Sequence, residues 1–162
     1  MKKYLFIIVS MLLLFTACNR NKVYFEQENT FDTAVWPRFQ HLYYTVPIEN
    51  VKKNYDLVFT VVHEQDINYD ILPIHVITNT DDGEERIKEF KIRIKDDKGF
   101  RGTLREDGFV ELQHVIRSNF TVAEPQNLNV DIECFYPKYE IPFIYKVGVK
   151  LVDTQVVEKK KE

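Results

Sequence analysis

From Gln40 onward the chain follows a period of two: short runs of β-branched and aromatic residues, interleaved with polar ones, are cut by turn formers. No helical period of useful length competes with it, so the pattern predicts an all-β protein. Leu42 to Val46 reads as a strand ending at Pro47. Leu57-Val58-Phe59-Thr60-Val61-Val62 is apolar on both parities, which predicts an interior strand covered on both faces. Ile74 to Thr80 follows, bounded by Pro73 and the turn Asn79-Thr80-Asp81-Asp82-Gly83. Phe90, Ile92 and Ile94 then alternate with Lys91, Arg93 and Lys95, a strand with one dry face and one wet one, closed by Asp96-Asp97-Lys98-Gly99.

Beyond Gly99 the pattern weakens. Thr103 to Arg105 fits a short strand, and Val110 to Ile116 fits either a strand or one helical turn. Val130, Ile132 and Cys134 mark a further strand, and Tyr145, Val147, Val149 and Leu151 another, with Lys146 and Lys150 pointing away. Pro137 and Pro142 require a connection between them. Some seven to nine strands, roughly 10 to 15 residues apart, predict a single β-sandwich, immunoglobulin-like or jelly-roll-like, over residues 40–153. Ahead of it Phe25, Phe31, Trp36 and Phe39 are irregularly spaced, so Val23 to Phe39 reads as an irregular lead-in that wraps onto the domain. Residues 154–162, with Lys159-Lys160-Lys161, read as a charged and disordered tail.

The N-terminus is organised differently. Lys2 and Lys3 precede the apolar stretch Tyr4 to Phe15, then the small residues Thr16-Ala17, then Cys18. This is the layout of a cleaved secretory signal over residues 1–17. As a helix, Tyr4 to Ala17 would span roughly 21 Å at about 1.5 Å per residue, short of a hydrocarbon core of about 30 Å. Leu13-Leu14-Phe15-Thr16-Ala17-Cys18 resembles a bacterial lipoprotein box, with Phe15 where Leu is usual. The resemblance implies a thioether-linked lipid on Cys18 and acylation of its new amino group. With each buried methylene worth about 0.8 kcal/mol, several acyl chains hold a protein on a bilayer where one would not. Residues 18–39 are then a lipidated tether and lead-in, and Asn19 to Lys22 reach at most about 13 Å, which keeps the folded part close to the lipid.

Charge and cysteine content narrow the function. Removing Lys2 and Lys3 with the signal leaves 20 basic against 25 acidic side chains, a net charge of −5. That balance argues against a phosphate-backbone binder, the only dense basic run being Lys159-Lys160-Lys161, and no nucleic-acid partner is expected. Once Cys18 is lipidated, Cys134 is the sole thiol. No internal disulfide is possible, and alternation places Cys134 on an apolar face as an inert buried sulfur.

Candidate chemistry is sparse. His63-Glu64-Gln65-Asp66 is the richest group of polar ligands, but on an extended segment its members face opposite ways, and His41, His75 and His114 sit at no ligand spacing. The acidic pairs Asp81-Asp82 and Asp96-Asp97 are explained by turns. The sequence predicts no catalytic residues, no metal, no cofactor and no small-molecule substrate. Trp36, Tyr136, Tyr139, Phe143 and Tyr145 could present aromatic faces, which makes them the candidate binding surface for a partner or a sugar.

Taken in order and spacing, the lipobox Cys18, the strand Tyr55 to His63, Tyr69-Asp70-Ile71-Leu72-Pro73-Ile74, the turn Asp96 to Gly102 and the closing Ile144-Tyr145-Lys146-Val147-Gly148-Val149 resemble the gliding motility lipoprotein GldH family of Gram-negative bacteria. The chain departs from the family's habit at Phe100-Arg101, where Trp is frequent, and at Asn127-Leu128-Asn129, where Gly-x-Tyr is frequent, as a distant member would. The resemblance implies a non-enzymatic accessory of a gliding and secretion-associated envelope complex, with other envelope proteins as partners. Asn19-Arg20-Asn21-Lys22 lacks the acidic residues that mark surface export in related bacteria, so the expected location is the outer membrane, on its periplasmic face. The alternative is a glycan- or polysaccharide-binding lipoprotein.

Overall fold

The period-two segments pair into antiparallel sheets. The computed structural model describes residues 22–154, so the expectations for the signal segment, for Cys18 and for all of the tail beyond Thr154 lie outside the described residues. In chain order the strands are β1 (Val23–Thr30), β2 (Val35–Pro37), β3 (Leu42–Ile48), β4 (Tyr55–His63), β5 (Ile71–Thr80), β6 (Glu85–Arg93), β7 (Lys95–Asp96), β8 (Gly99–Phe100), β9 (Thr103–Leu104), β10 (Val110–Phe120), β11 (Gln126–Cys134), β12 (Glu140–Pro142) and β13 (Ile144–Asp153). One sheet has the order β1-β13-β4-β10-β9 and the other β3-β11-β5-β6, with two small ribbons, β12-β2 and β7-β8.

The eight long strands pair first with last and inward from there: β1 with β13, β3 with β11, β4 with β10, β5 with β6. This nesting is one long antiparallel hairpin rolled over on itself. It is the jelly-roll arrangement of a β-sandwich, which sets the fold apart from the immunoglobulin alternative.

β4 is buried along its whole length, as its two-sided apolar pattern predicts. Tyr55, Leu57, Phe59 and Val61 join the core shared with Leu42, Tyr44 and Val46 of the other sheet. The opposite parity lies beneath long side chains of its neighbours. Register sets Lys150 beside Val58 and both Lys146 and Glu111 beside Val62. Lys150 Nζ reaches Glu26 at 2.9 Å and Glu111 at 3.2 Å, and Lys146 reaches Glu28 at 3.1 Å, so aliphatic stems lie over the valines while the charges pair above them. Between the sheets the Tyr44 hydroxyl donates to the Val147 carbonyl at 3.0 Å, and burial raises its pKa.

Two sequence expectations are corrected, for the lead-in and for the end of β3, and one left open between strand and helical turn is settled as strand. The lead-in is not irregular: β1 pairs with β13 from Val23 to Thr30, and the sandwich begins there rather than at Gln40. As an edge strand half-exposed on both parities, β1 shows no alternation, and its ladder comes from a partner some 120 residues away in sequence. Val110 to Ile116 is part of an eleven-residue strand, whose period is broken by register shifts between Val115 and Arg117 and between Arg117 and Phe120. β3 runs through Pro47 to Ile48. It lies at a sheet edge, where a missing N–H is tolerated.

Candidate functional site

The five aromatic residues singled out by sequence do not form one surface. Trp36 is fully buried. Its ring stacks on Phe31 with centroids 6.0 Å apart, its Nε1–H donates to the Gln40 carbonyl at 3.1 Å, and it pairs in register with the buried Ile141. The reading of Trp36 as a binding residue is therefore corrected: β2 and β12 form a small ribbon that carries the indole into the core. Tyr136 is half-buried against Tyr69, with ring centroids 4.8 Å apart. Phe143 is half-buried against the core with a left-handed backbone, φ +70°, and its carbonyl accepts the Glu64 N–H at 2.9 Å. Tyr145 stacks on Phe109 at 4.7 Å.

Tyr139 alone of the five is freely presented, at 78 % exposure. Its neighbour is Phe39, 64 % exposed, with ring centroids 6.1 Å apart and planes tilted by 55°. Arg38 lies over the Phe39 ring at 5.3 Å, and its backbone N–H donates to the Tyr139 carbonyl at 2.9 Å. Beside the pair a shallow depression of about 380 Å³ is lined by Lys138, Tyr139, Glu140 and Pro142. The sequence reading missed Phe39 as part of this patch. Only the ladder between Val35–Pro37 and Glu140–Pro142 brings residues a hundred positions apart together there.

The polar candidates are occupied structurally. The His63 side chain is buried, with Nδ1 2.7 Å from the Glu64 carbonyl. Nδ1 must carry the proton to donate to that carbonyl, which leaves Nε2 buried and, among the described residues, unpaired. Burial holds the His63 pKa down, so the ring is neutral. Gln65 turns away to donate to the Gly108 carbonyl at 2.7 Å. Cys134 is fully buried on the apolar parity of β11, and burial pushes its thiol up to about 12. A thiol held that high carries almost no thiolate at neutral pH and is no nucleophile. Among the described residues no three His, Cys, Asp or Glu side chains converge as metal ligands do.

Residues 23–151 match the family model described as GldH lipoprotein. The chain belongs to the GldH lipoprotein family. The match starts with the first residue of β1 and ends within β13, so it takes in both sheets of the sandwich. As a member of a lipoprotein family, this GldH-family chain is associated with a membrane through a lipid anchor. Among its described residues no helix is long and apolar enough to cross a membrane. No curated protein matches it. Two solved structures are similar to the GldH-family chain at low identity. One is of the infectious bursal disease virus Gx strain, at 12 % identity and a TM-score of 0.36, covering 87 % of this chain and 33 % of that one. The other is of dimeric latent PorU from Porphyromonas gingivalis, at 6 % identity and a TM-score of 0.32, covering 85 % of this chain and 14 % of that one. The chain thus spans a third or less of their lengths.

Proposed function

We propose that this protein is a non-enzymatic accessory of a gliding and secretion-associated envelope complex, anchored by lipid on Cys18 to the periplasmic face of the outer membrane, and that it works by docking other envelope proteins. The observation that carries this reading is the GldH family match across the whole sandwich. Tethering supplies the mechanism. A lipid confines the domain to the membrane plane and raises its effective concentration near membrane partners, so a weak interface can still be occupied.

The geometry supports this direction. The Asp153 N–H donates to the Lys22 carbonyl at 3.1 Å, so the tether meets the sandwich at the end where β13 finishes. β1 then runs about 25 Å away from that end, at about 3.4 Å per residue, before the chain turns into the ribbon that carries Phe39 and Tyr139. The exposed aromatic pair therefore stands at the rim far from the lipid, where a neighbouring protein can meet it. The glycan-binding alternative loses support, because Trp36 is buried and the two exposed rings are tilted rather than coplanar.

The test is a Cys18→Ser chain expressed in a strain lacking the native protein. Release from the membrane with loss of the motility or secretion phenotype is the expected result, and full complementation by the soluble chain would refute the reading. Protease added to intact cells distinguishes the periplasmic face, where the protein is protected, from the cell surface, where it is digested.

A further inference from the structure

The sandwich closes unevenly. On one flank β1 and β3 approach each other. On the other, β6 ends its sheet, and β10 is an edge beyond its short pairing with β9 at Val110 and Glu111. Between these two edges lies a cleft of about 230 Å³ with Val76, Ile116 and Phe90 at its apolar part and Arg86, Lys88 and Arg117 among its walls. Both ends of the cleft are bridged. The Phe90 ring meets His114 edge-on with centroids 5.5 Å apart, and Arg117 Nη2 donates to Glu84 Oε2 at 3.2 Å.

The charges here are unbalanced. Arg86 and Lys88 share the parity of Phe90 and Ile92, so the inward positions of an edge strand carry cations where apolar residues would extend the core. Glu84 is shared between Arg117 and Arg86. Lys88 Nζ lies 4.8 Å from the Phe90 ring centroid. The Arg117 side chain is only 11 % exposed, and its Nε is buried with no hydrogen-bond partner among the described residues. Three cations therefore face one carboxylate, in a protein that is acidic as a whole. Burial first, and then the charges of Lys88 and Arg101, lower the His114 pKa, as a locally positive field requires.

We propose that this cleft receives an acidic, extended segment of a partner protein, which adds to the free edge of β6 as a strand and sets a carboxylate among Arg86, Lys88 and Arg117. Among the described residues β6 pairs with β5 alone, so its other edge offers the backbone groups that strand addition uses. The cleft is smaller than the roughly 300 to 1,000 Å³ of small-molecule sites, a volume suited to one or two inserted side chains. A carboxylate placed there would meet the side chains of Arg86, Lys88 and Arg117, all three of which line the cleft. The inference rests on the docking role proposed above and names the chemistry of the partner.

The test uses the full lipidated chain in zwitterionic micelles and a labelled nine-residue peptide alternating threonine and glutamate, with a threonine–lysine peptide as control. The glutamate peptide binds and the lysine peptide does not. The paired substitution Arg86→Gln and Lys88→Gln weakens binding about tenfold or more. Lys91→Gln, on the outward parity of the same strand, leaves binding unchanged, and backbone amides of β6 gain hydrogen-exchange protection in the complex. Equal binding by the double variant, absence of protection in β6, or preference for polygalacturonate or phosphatidylglycerol vesicles over the peptide would overturn the proposal. So would no binding at all, which would leave the cations as guards against edge-to-edge pairing. Peptide binding does not depend on the anchor, so a soluble Cys18→Ser chain that complements would sink the tethering role while leaving this result standing.

Discussion

Gly148 packs so closely on Gln27 that a Cβ at Gly148 would lie 2.5 Å from the Gln27 carbonyl oxygen. On its other side the same atom would meet Thr60 Oγ1 at 3.0 Å, so the glycine lets β1, β13 and β4 lie flush. Gly148→Ala must push the β1 backbone away, and the expected cost is about 1 to 3 kcal/mol. A thermal melt followed by circular dichroism should show a Tm lower by several degrees. An unchanged Tm would mean that β1 docks more loosely than this packing implies.

His63 makes stability depend on pH. Burial lowers its pKa below the usual 6.5, so just below that value the unfolded chain binds more protons than the native one. Stability is then complete above 6.5 and declines as pH falls through and below it, and His114, also lowered first by burial, adds a contribution of the same sign. Tm measured from about pH 8 down to about 5 should fall on the acid side, and His63→Leu should flatten the slope. A slope identical in the variant would remove His63 from this account.

Trp36 and Tyr139 should separate stability from docking. Trp36→Ala removes a fully buried indole and is expected to cost about 3 to 5 kcal/mol in chemical denaturation. Tyr139→Ala, at an exposed rim, should stay within about 0.5 kcal/mol of the parent while impairing complementation. A Tyr139→Ala chain that folds and complements fully would exclude the aromatic pair from the docking surface.

The thiol count reports on the anchor and on the core together. Cys134 is buried with its thiol pushed up to about 12, so a thiol reagent should leave the native mature protein unmodified and find one thiol after unfolding. Two reactive thiols in denaturant would show that Cys18 carries no lipid.

What was legible in the sequence follows from where burial is two-sided or cleanly alternating. Leu57 to Val62 reads as a covered strand because both parities are apolar, and Val130, Ile132 and Cys134 read as a core-facing row because their partners Asp131 and Glu133 are polar. Val23 to Thr30 is illegible for the opposite reason: no position of that edge strand is fully buried, and the partner that defines it arrives at the far end of the domain. Aromatic residues misled at Trp36, because hydrophobicity alone does not tell a ring that faces a partner from one carried inward by a three-residue ribbon. The basic cleft was hidden too, since Arg86 and Lys88 meet Arg117 only through the pairing of different sheets.

The first-with-last pairing of β1 and β13 has a mechanical consequence. On the docking role proposed above, traction between a tether at Val23 and a partner at the opposite rim would run along the axis of β1, in the plane of its sheet. The rungs from Val23↔Val152 to Thr30↔Lys146 would then be sheared together instead of being peeled open one at a time, so the domain would carry load between its two ends without unravelling.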